Sequence, residues 1–258
     1  MKLKDKIAIV TGGGAGLGRS IALTFAGEGA KVVIASRNSA NLEKVAGEIR
    51  GKGGSATVIV TDISDESQVK GLVARTIAEL GRVDILVNNT GIPGPTAAVV
   101  DLALDDWNRT LAVNLTGAML CSREVLKDMI ARQSGNIINM SSGVGKYSLA
   151  LRSCYVVSKL GLIGFTETLS KEVGKYNIRF NCVDPGPVEG ERVNQVIRTR
   201  AEALGVTIED VARQMAARGS LGRFITAGEV VSAVLFLASD ESSGITGQTL
   251  SVDSGKTG

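Results

Sequence analysis

The chain has 258 residues, 44% of them hydrophobic and 21% charged, with 29 Lys and Arg against 26 Asp and Glu for a net charge of +3. That is an ordinary globular balance for one large domain, and because acids and bases are interspersed neither a basic nucleic-acid face nor a charged docking tail is expected. The complete absence of histidine excludes Ser-His-Asp and Cys-His catalysis and any histidine-ligated metal, leaving acid/base work to Tyr, Lys, Asp, Glu or Cys.

Cys121, Cys154 and Cys182 have neither a metal-ligand spacing nor an even disulfide count, which fits a reducing, cytoplasmic interior. Cys154 reads as a small packing residue. At the start, MKLKDKIAIV puts three lysines before an apolar run of only Ile7 to Val10, a first strand rather than a signal peptide. No apolar stretch approaches the roughly eighteen residues of a membrane span, so no membrane partner is expected.

In chain order, strands are predicted at 6–11, 31–35, 56–61, 83–88, 136–141, 178–183 and 248–252. Helices are predicted at 17–28, 40–51, 65–80, 105–132, 153–176 and 227–239. This alternation predicts an α/β chain, a single-domain Rossmann fold over 1–258. Its doubly wound, parallel, seven-stranded sheet carries helices on both faces, with right-handed crossovers and ligands at the carboxyl ends of the strands. Only 186–222, polar and arginine-rich, falls outside the pattern.

The first strand runs into TGGGAGLGRS, with Gly12, Gly16 and Gly18 at fingerprint positions and Gly13 and Gly14 in addition. Between a strand and a helix, such glycines let backbone N–H groups approach a pyrophosphate at the helix's positive end. The second strand ends in Ala35-Ser36-Arg37. An acid there would bind the ribose of NAD, whereas Ser and Arg leave room and charge for a 2′-phosphate, so NADP(H) is favoured and NAD(H) remains possible. Against this, Ala15 sits where a second basic residue would help. Asp62 follows the third strand as an adenine partner or a helix-start acid, and Asn88-Asn89-Thr90-Gly91 closes the fourth, its amides suited to bracing strand ends.

The stretch Ser142 to Lys159, SGVGKYSLALRSCYVVSK, carries the chemistry. Tyr155 and Lys159 stand four apart, one helical turn on one face. An ammonium about 4 Å from a phenol, at an effective dielectric of about 20, favours the phenolate by on the order of 4 kcal/mol. That is roughly three pKa units before desolvation opposes it, and it brings tyrosine toward working pH as a proton-transfer group. Ser142, at the end of the run IINMSS, is placed to donate to the same substrate oxygen.

TGGGAGLG, NNTG, LAVNLTG, NMSSG, YVVSK and DPGPV, in that order and spacing, resemble the short-chain dehydrogenase/reductase family over essentially the whole chain, closest in type to 3-oxoacyl-carrier-protein reductases. The resemblance implies an NAD(P)-dependent oxidoreductase moving hydride between a nicotinamide and a carbonyl or secondary alcohol. It makes Tyr155 the general acid/base, Lys159 its tuner and ribose anchor, Ser142 the polarising hydroxyl, and Asn114 the anchor of a relay water above Lys159. Ser142 rather than Ser141 matches the family's interval to the tyrosine. The implied cofactor contacts are Gly12, Gly14, Gly16, Leu17, Gly18, Ser36, Arg37, Asp62, Ile63, Asn89, Gly91, Tyr155, Lys159, Pro185, Gly186 and Val188.

Three departures from the family pattern stand out: Thr90 for alanine in NNAG, Gly190 for the threonine of PGxxxT, and Ser254 for a glycine. The resemblance also implies a homotetramer and places specificity in 92–104, 143–155 and a lid over 186–222. Arg152 with Arg192, Arg198 and Arg200 could form a positive rim for a small substrate bearing a carboxylate, sulfonate or phosphate; solvated or subunit-bridging arginines are the alternative. Gln133 and Tyr176 occupy places where carrier-protein reductases tend to have docking arginines, although Arg132 and Lys175 adjoin them. A small-molecule alcohol dehydrogenase or ketone reductase is therefore weighed beside the carrier-protein reductase, and a non-catalytic dinucleotide-binding regulator is the alternative from another class.

Overall fold

The computed structural model describes residues 1–255, the side chain of Arg192 apart; the last three residues of the expected 1–258 domain lie outside it. The chain alternates β1 (Ile7–Thr11), α1 (Gly16–Gly27), β2 (Lys31–Ser36), α2 (Ser39–Gly51), β3 (Ser55–Val60), α3 (Glu66–Leu80) and β4 (Ile85–Asn88). Next come α4 (Leu104–Leu111), α5 (Gly117–Arg132), β5 (Gly135–Met140), α6 (Val144–Tyr147), α7 (Ser153–Val173) and β6 (Ile178–Pro185). The chain closes with α8 (Glu191–Leu204), α9 (Ile208–Ala217), α10 (Ala227–Ala238) and β7 (Thr249–Val252).

The strands form one seven-stranded sheet in the order β3-β2-β1-β4-β5-β6-β7, parallel at every pairing. Successive side chains of a strand enter opposite layers. Ala8, Val10, Val32 and Ile34 pack with Ile21 and Phe25 of α1, Leu42 and Ile49 of α2, and Val230 and Val234 of α10. Ile9, Val33, Leu86 and Ile137 pack with Leu72 of α3, Val125 and Met129 of α5, and Val173 of α7. Burial on both faces explains why the strands read as continuous apolar runs. The order reverses between β1 and β4, so the loops leaving these strands part there and open a crevice at their carboxyl ends.

Two helices differ from expectation. The predicted 105–132 helix is broken into α4, a π-helical turn over Ala112–Thr116, and α5. Within that turn the amide of Asn114 bonds both backbone groups of Ile92, a long-range contact that helical periodicity does not register. The predicted 153–176 helix ends at Val173 and tightens into a 3-10 turn, Gly174–Tyr176, before Asn177 turns the chain in the left-handed region.

The irregular 186–222 stretch holds α8 and α9, which bury Val193, Ile197, Ala201 and Val211 against one another. This excursion leaves and rejoins the body at a parallel bridge between Val188 and Ile225. Immediately after it, Thr226 and Glu229 close a reciprocal capping box on α10.

Candidate active site

The glycine turn between β1 and α1 is built for close approach. Gly12 has φ +67°, and a Cβ on Gly18 would stand 2.1 Å from the Gly12 carbonyl oxygen and 2.5 Å from Asn89 Nδ2. Only hydrogen fits at Gly18, and this lets the start of α1 press against the strand ends. Thr11 ties the next strand to the turn: its hydroxyl accepts from the Asn89 and Thr90 N–H groups at 3.1 and 3.2 Å, and Asn89 Nδ2 donates to the Thr11 carbonyl at 3.0 Å. Asn88, fully inside, donates to Asn139 Oδ1 at 2.9 Å and Ser122 Oγ at 3.0 Å. The NNTG amides thus brace the strand ends, as their place in the sequence suggests.

Beside this turn lies a cleft of about 270 Å³ lined by Ser36, Arg37, Asp62, Ile63, Thr90 and Gly91, among others. Arg37 approaches Asp62 at 3.8 Å. Asp62 accepts from the hydroxyl and N–H of Ser64 at 2.6 and 3.0 Å; these bonds, led by the hydroxyl, and the Arg37 charge lower its pKa. It does not cap α3, whose N-cap is Asp65. A backbone cradle that tolerates no Cβ at Gly18 and a cleft flanked by Arg37 and Asp62 fit a dinucleotide with its adenosine end at β2 and β3.

The expected chemical groups meet at the carboxyl ends of β4 and β5. The ammonium of Lys159, buried on α7, lies 5.8 Å from the centroid of the Tyr155 ring and donates to the Met140 carbonyl at 2.7 Å. Asn114 Oδ1 accepts from Ile92 N–H at 2.8 Å, while Nδ2 donates to the Ile92 carbonyl and to Ser158 Oγ, both at 3.0 Å. A Cβ on Gly91 would lie 3.3 Å from Asn114 Oδ1 and 3.4 Å from Lys159 Nζ, so glycine there keeps the space these two groups share.

The two serines after β5 divide. Ser141 is buried and donates its hydroxyl to the Lys159 carbonyl at 2.8 Å, whereas Ser142, the next residue, is partly exposed. Pro185 ends β6, Gly186 N–H donates to Val252 O at 2.9 Å, and Val188 follows in a bridge to Ile225.

The arginine rim is uneven. Arg152 Nη2 donates to Pro93 O at 2.7 Å, Nη1 donates to Thr96 Oγ1 at 3.4 Å, and the guanidinium lies 5.1 Å from the Tyr155 centroid. Arg198 pairs with Glu191. Arg200 is partly buried beside Arg218, and burial first, then that like charge, lowers its pKa. The side chain of Arg192 lies outside the described residues.

Sequence reasoning passed over Ser158 and Asp184. The serine sits inside YVVSK itself, and the acid interrupts the apolar run of β6. Asp184 is fully buried with Lys146 Nζ 3.9 Å away. Burial pushes its pKa up to about 6 against the pull of Lys146, with Asp253 adding to the rise.

Together the doubly wound sheet, the glycine turn at its first strand and the Tyr-Lys pair at its crevice define a nicotinamide-dependent oxidoreductase. Residues 6–225 match the family model described as short chain dehydrogenase. The chain is 37% identical over 256 residues to a 3-oxoacyl-[acyl-carrier-protein] reductase of Thermotoga maritima, covering 99% of each. Among solved structures, an NAD+-bound xylitol dehydrogenase superposes with TM-score 0.95 at 32% identity, covering 99% of this chain and 100% of the other. An actinorhodin polyketide ketoreductase variant with NADPH superposes with TM-score 0.92 at 32% identity, covering 96% of each. The chain belongs to the short-chain dehydrogenase family, and its activity is NAD(P)-dependent oxidoreduction of a carbonyl or secondary alcohol.

Proposed function

We propose that this protein reduces a small-molecule ketone, or oxidises the matching secondary alcohol, with Tyr155, Lys159, Ser142 and Asn114 as its working groups. The observation that carries this reading is the buried Lys159 ammonium beside the Tyr155 ring, held by the Met140 carbonyl. When bound, the nicotinamide supplies or receives the hydride. In the reducing direction Tyr155 Oη gives its proton to the substrate oxygen while the Ser142 hydroxyl donates a hydrogen bond to the same atom as negative charge gathers there. Lys159 favours the phenolate left behind, and Asn114 fixes the Ile92 backbone and Ser158 around it.

The glycine turn and the residues from Ser36 to Val188 named above would hold the cofactor. Arg37, next to the uncharged Ser36, supports NADP(H) over NAD(H) by offering a cation to a 2′-phosphate. The excursion holding α8 and α9 is read as a substrate lid because it leaves and rejoins the body at the Val188–Ile225 bridge, shortly after Pro185 ends β6. Arg200, partly buried beside Arg218, supports a substrate with an anionic group, whereas the guanidinium of Arg152 is taken up by Pro93 O, Thr96 Oγ1 and the Tyr155 ring. The three free, buried cysteines fit a cytoplasmic setting, and the exposed apolar side chains of α7 fit assembly into a homotetramer.

A 3-oxoacyl-carrier-protein reductase is the second reading, favoured by the Thermotoga maritima relative. Arg132, however, spends its guanidinium on Asp128 and the Val83 carbonyl, which leaves it poorly placed to meet a carrier protein and favours the small-molecule substrate. Tyr155→Phe, assayed on a panel of ketones with NADPH and NADH in parallel, is expected to lower kcat by about 10³-fold with cofactor affinity retained. Turnover at the wild-type rate refutes the assignment, and binding without turnover in the wild type favours a regulator.

A further inference from the structure

Arg152 stands at an unfavourable place for a cation. It is the residue before the first turn of α7, a first turn without an acidic residue, and the positive end of a helix dipole disfavours a basic group there. What holds it is tertiary: the Pro93 carbonyl and the Thr96 hydroxyl from the β4–α4 loop, and the face of Tyr155. Guanidinium is the group that can do all three, because it is flat, permanently charged and carries donors on separate nitrogens. The phenol ring thereby has one cation a turn before it and one a turn after it, at 5.1 and 5.8 Å from its centroid.

We infer that Arg152 is a positioning residue for proton transfer at Tyr155: its guanidinium fixes the ring, ties it to the 93–96 loop and adds a second positive charge favouring the phenolate. The inference rests on the assignment of Tyr155 above and extends it. In alcohol oxidation the substrate hydroxyl proton passes to the phenolate oxygen, so whatever favours the phenolate shifts the rising limb of the pH profile to lower pH. Among the described residues, Lys146 and Tyr147 come from α6, and Asp184 from β6, where its carboxylate feels both Lys146 and Lys159. Asp105, Asp106 and Arg109 of α4 are exposed, and neither the 91–96 loop nor the Ala112–Thr116 turn carries an ionisable side chain.

The test is the pH profile of kcat/KM for oxidation of a neutral and of an anionic secondary alcohol by wild type, Arg152→Gln and Arg152→Lys, with melting temperature and cofactor Kd recorded for each. Arg152→Gln is expected to move the midpoint of the rising limb up by about one pH unit. At neutral pH it should lose about tenfold in rate and recover most of that above the new midpoint. Arg152→Lys, retaining charge without the flat fork, should recover part of the shift. An unmoved midpoint with KM raised for the anionic alcohol alone makes Arg152 a substrate anion site and overturns the inference. An equal loss at every pH makes it a loop support and also overturns it. Failure of the Tyr155 assignment shows separately, as a rising limb that survives in Tyr155→Phe.

Discussion

Asp184 illustrates how one side chain opposes the fold that buries it. Its folded pKa, about 6 against an ordinary 3.8, is raised, so its contribution to stability is fully present below the unfolded value and is lost as pH climbs through about 6. Near neutrality the burial of this charge, net of the pull of Lys146, costs on the order of 2 to 3 kcal/mol. Asp184→Asn is therefore expected to melt higher than wild type at pH 7.5, with the gap closing by pH 4.5, in thermal scans across that range. A gap independent of pH would contradict this. Lys159 shows the opposite management of burial, since its ammonium is taken up at once by the Met140 carbonyl. The difference separates a charge held for the reaction from one tolerated beside it.

At the scale of elements, the site depends on how helices begin and break. The π-helical turn Ala112–Thr116 brings the Asn114 amide to the loop after β4, and wide turns of this kind recur at functional sites. The capping box of α10 works differently, because it fixes the point where the 189–225 excursion rejoins the body. Thr226 Oγ1 accepts from Glu229 N–H at 3.3 Å, and Glu229 in turn accepts from Thr226 N–H at 2.8 Å and from Arg223. Those bonds, the Arg223 one foremost, hold the Glu229 carboxyl at about 2, so the box stays charged at any physiological pH. Thr226→Ala should cost about 1 kcal/mol and lower the melting temperature by about 2–4 °C. If α10 also anchors the excursion, calorimetry should show that loss together with faster proteolysis between α8 and α9.

Across the whole molecule, α7 supplies Tyr155 and Lys159 from its inner face and leaves Val157 and Leu160 42% and 53% exposed on its outer face. One helix thus belongs both to the site and to a surface suited to a second copy, with apolar area that a two-fold can bury on both partners at once. If the proposed homotetramer assembles across α7, Leu160→Lys is expected to yield smaller species by sedimentation equilibrium, and an unchanged mass would remove α7 from the interface. Much of the fold and of the Tyr155-Lys159 pair was legible in the sequence. Seven apolar runs, the glycine turn after the first and the four-residue spacing of Tyr155 and Lys159 follow from periodicities of two and 3.6, which are local properties of a chain. Their sequence alone therefore determined the α/β class, the place of the cleft and the pairing of phenol with ammonium. The tertiary structure decided which neighbours those groups have. It put the Ser141 hydroxyl on the Lys159 carbonyl and left Ser142 partly exposed, broke the 105–132 helix to carry Asn114 to Ile92, turned Arg152 onto a ring and a loop, and enclosed Asp184. Each of these outcomes depends on atoms that strand order brings together from positions distant in sequence, and a hydrogen bond or a desolvated charge is fixed by that proximity rather than by residue type.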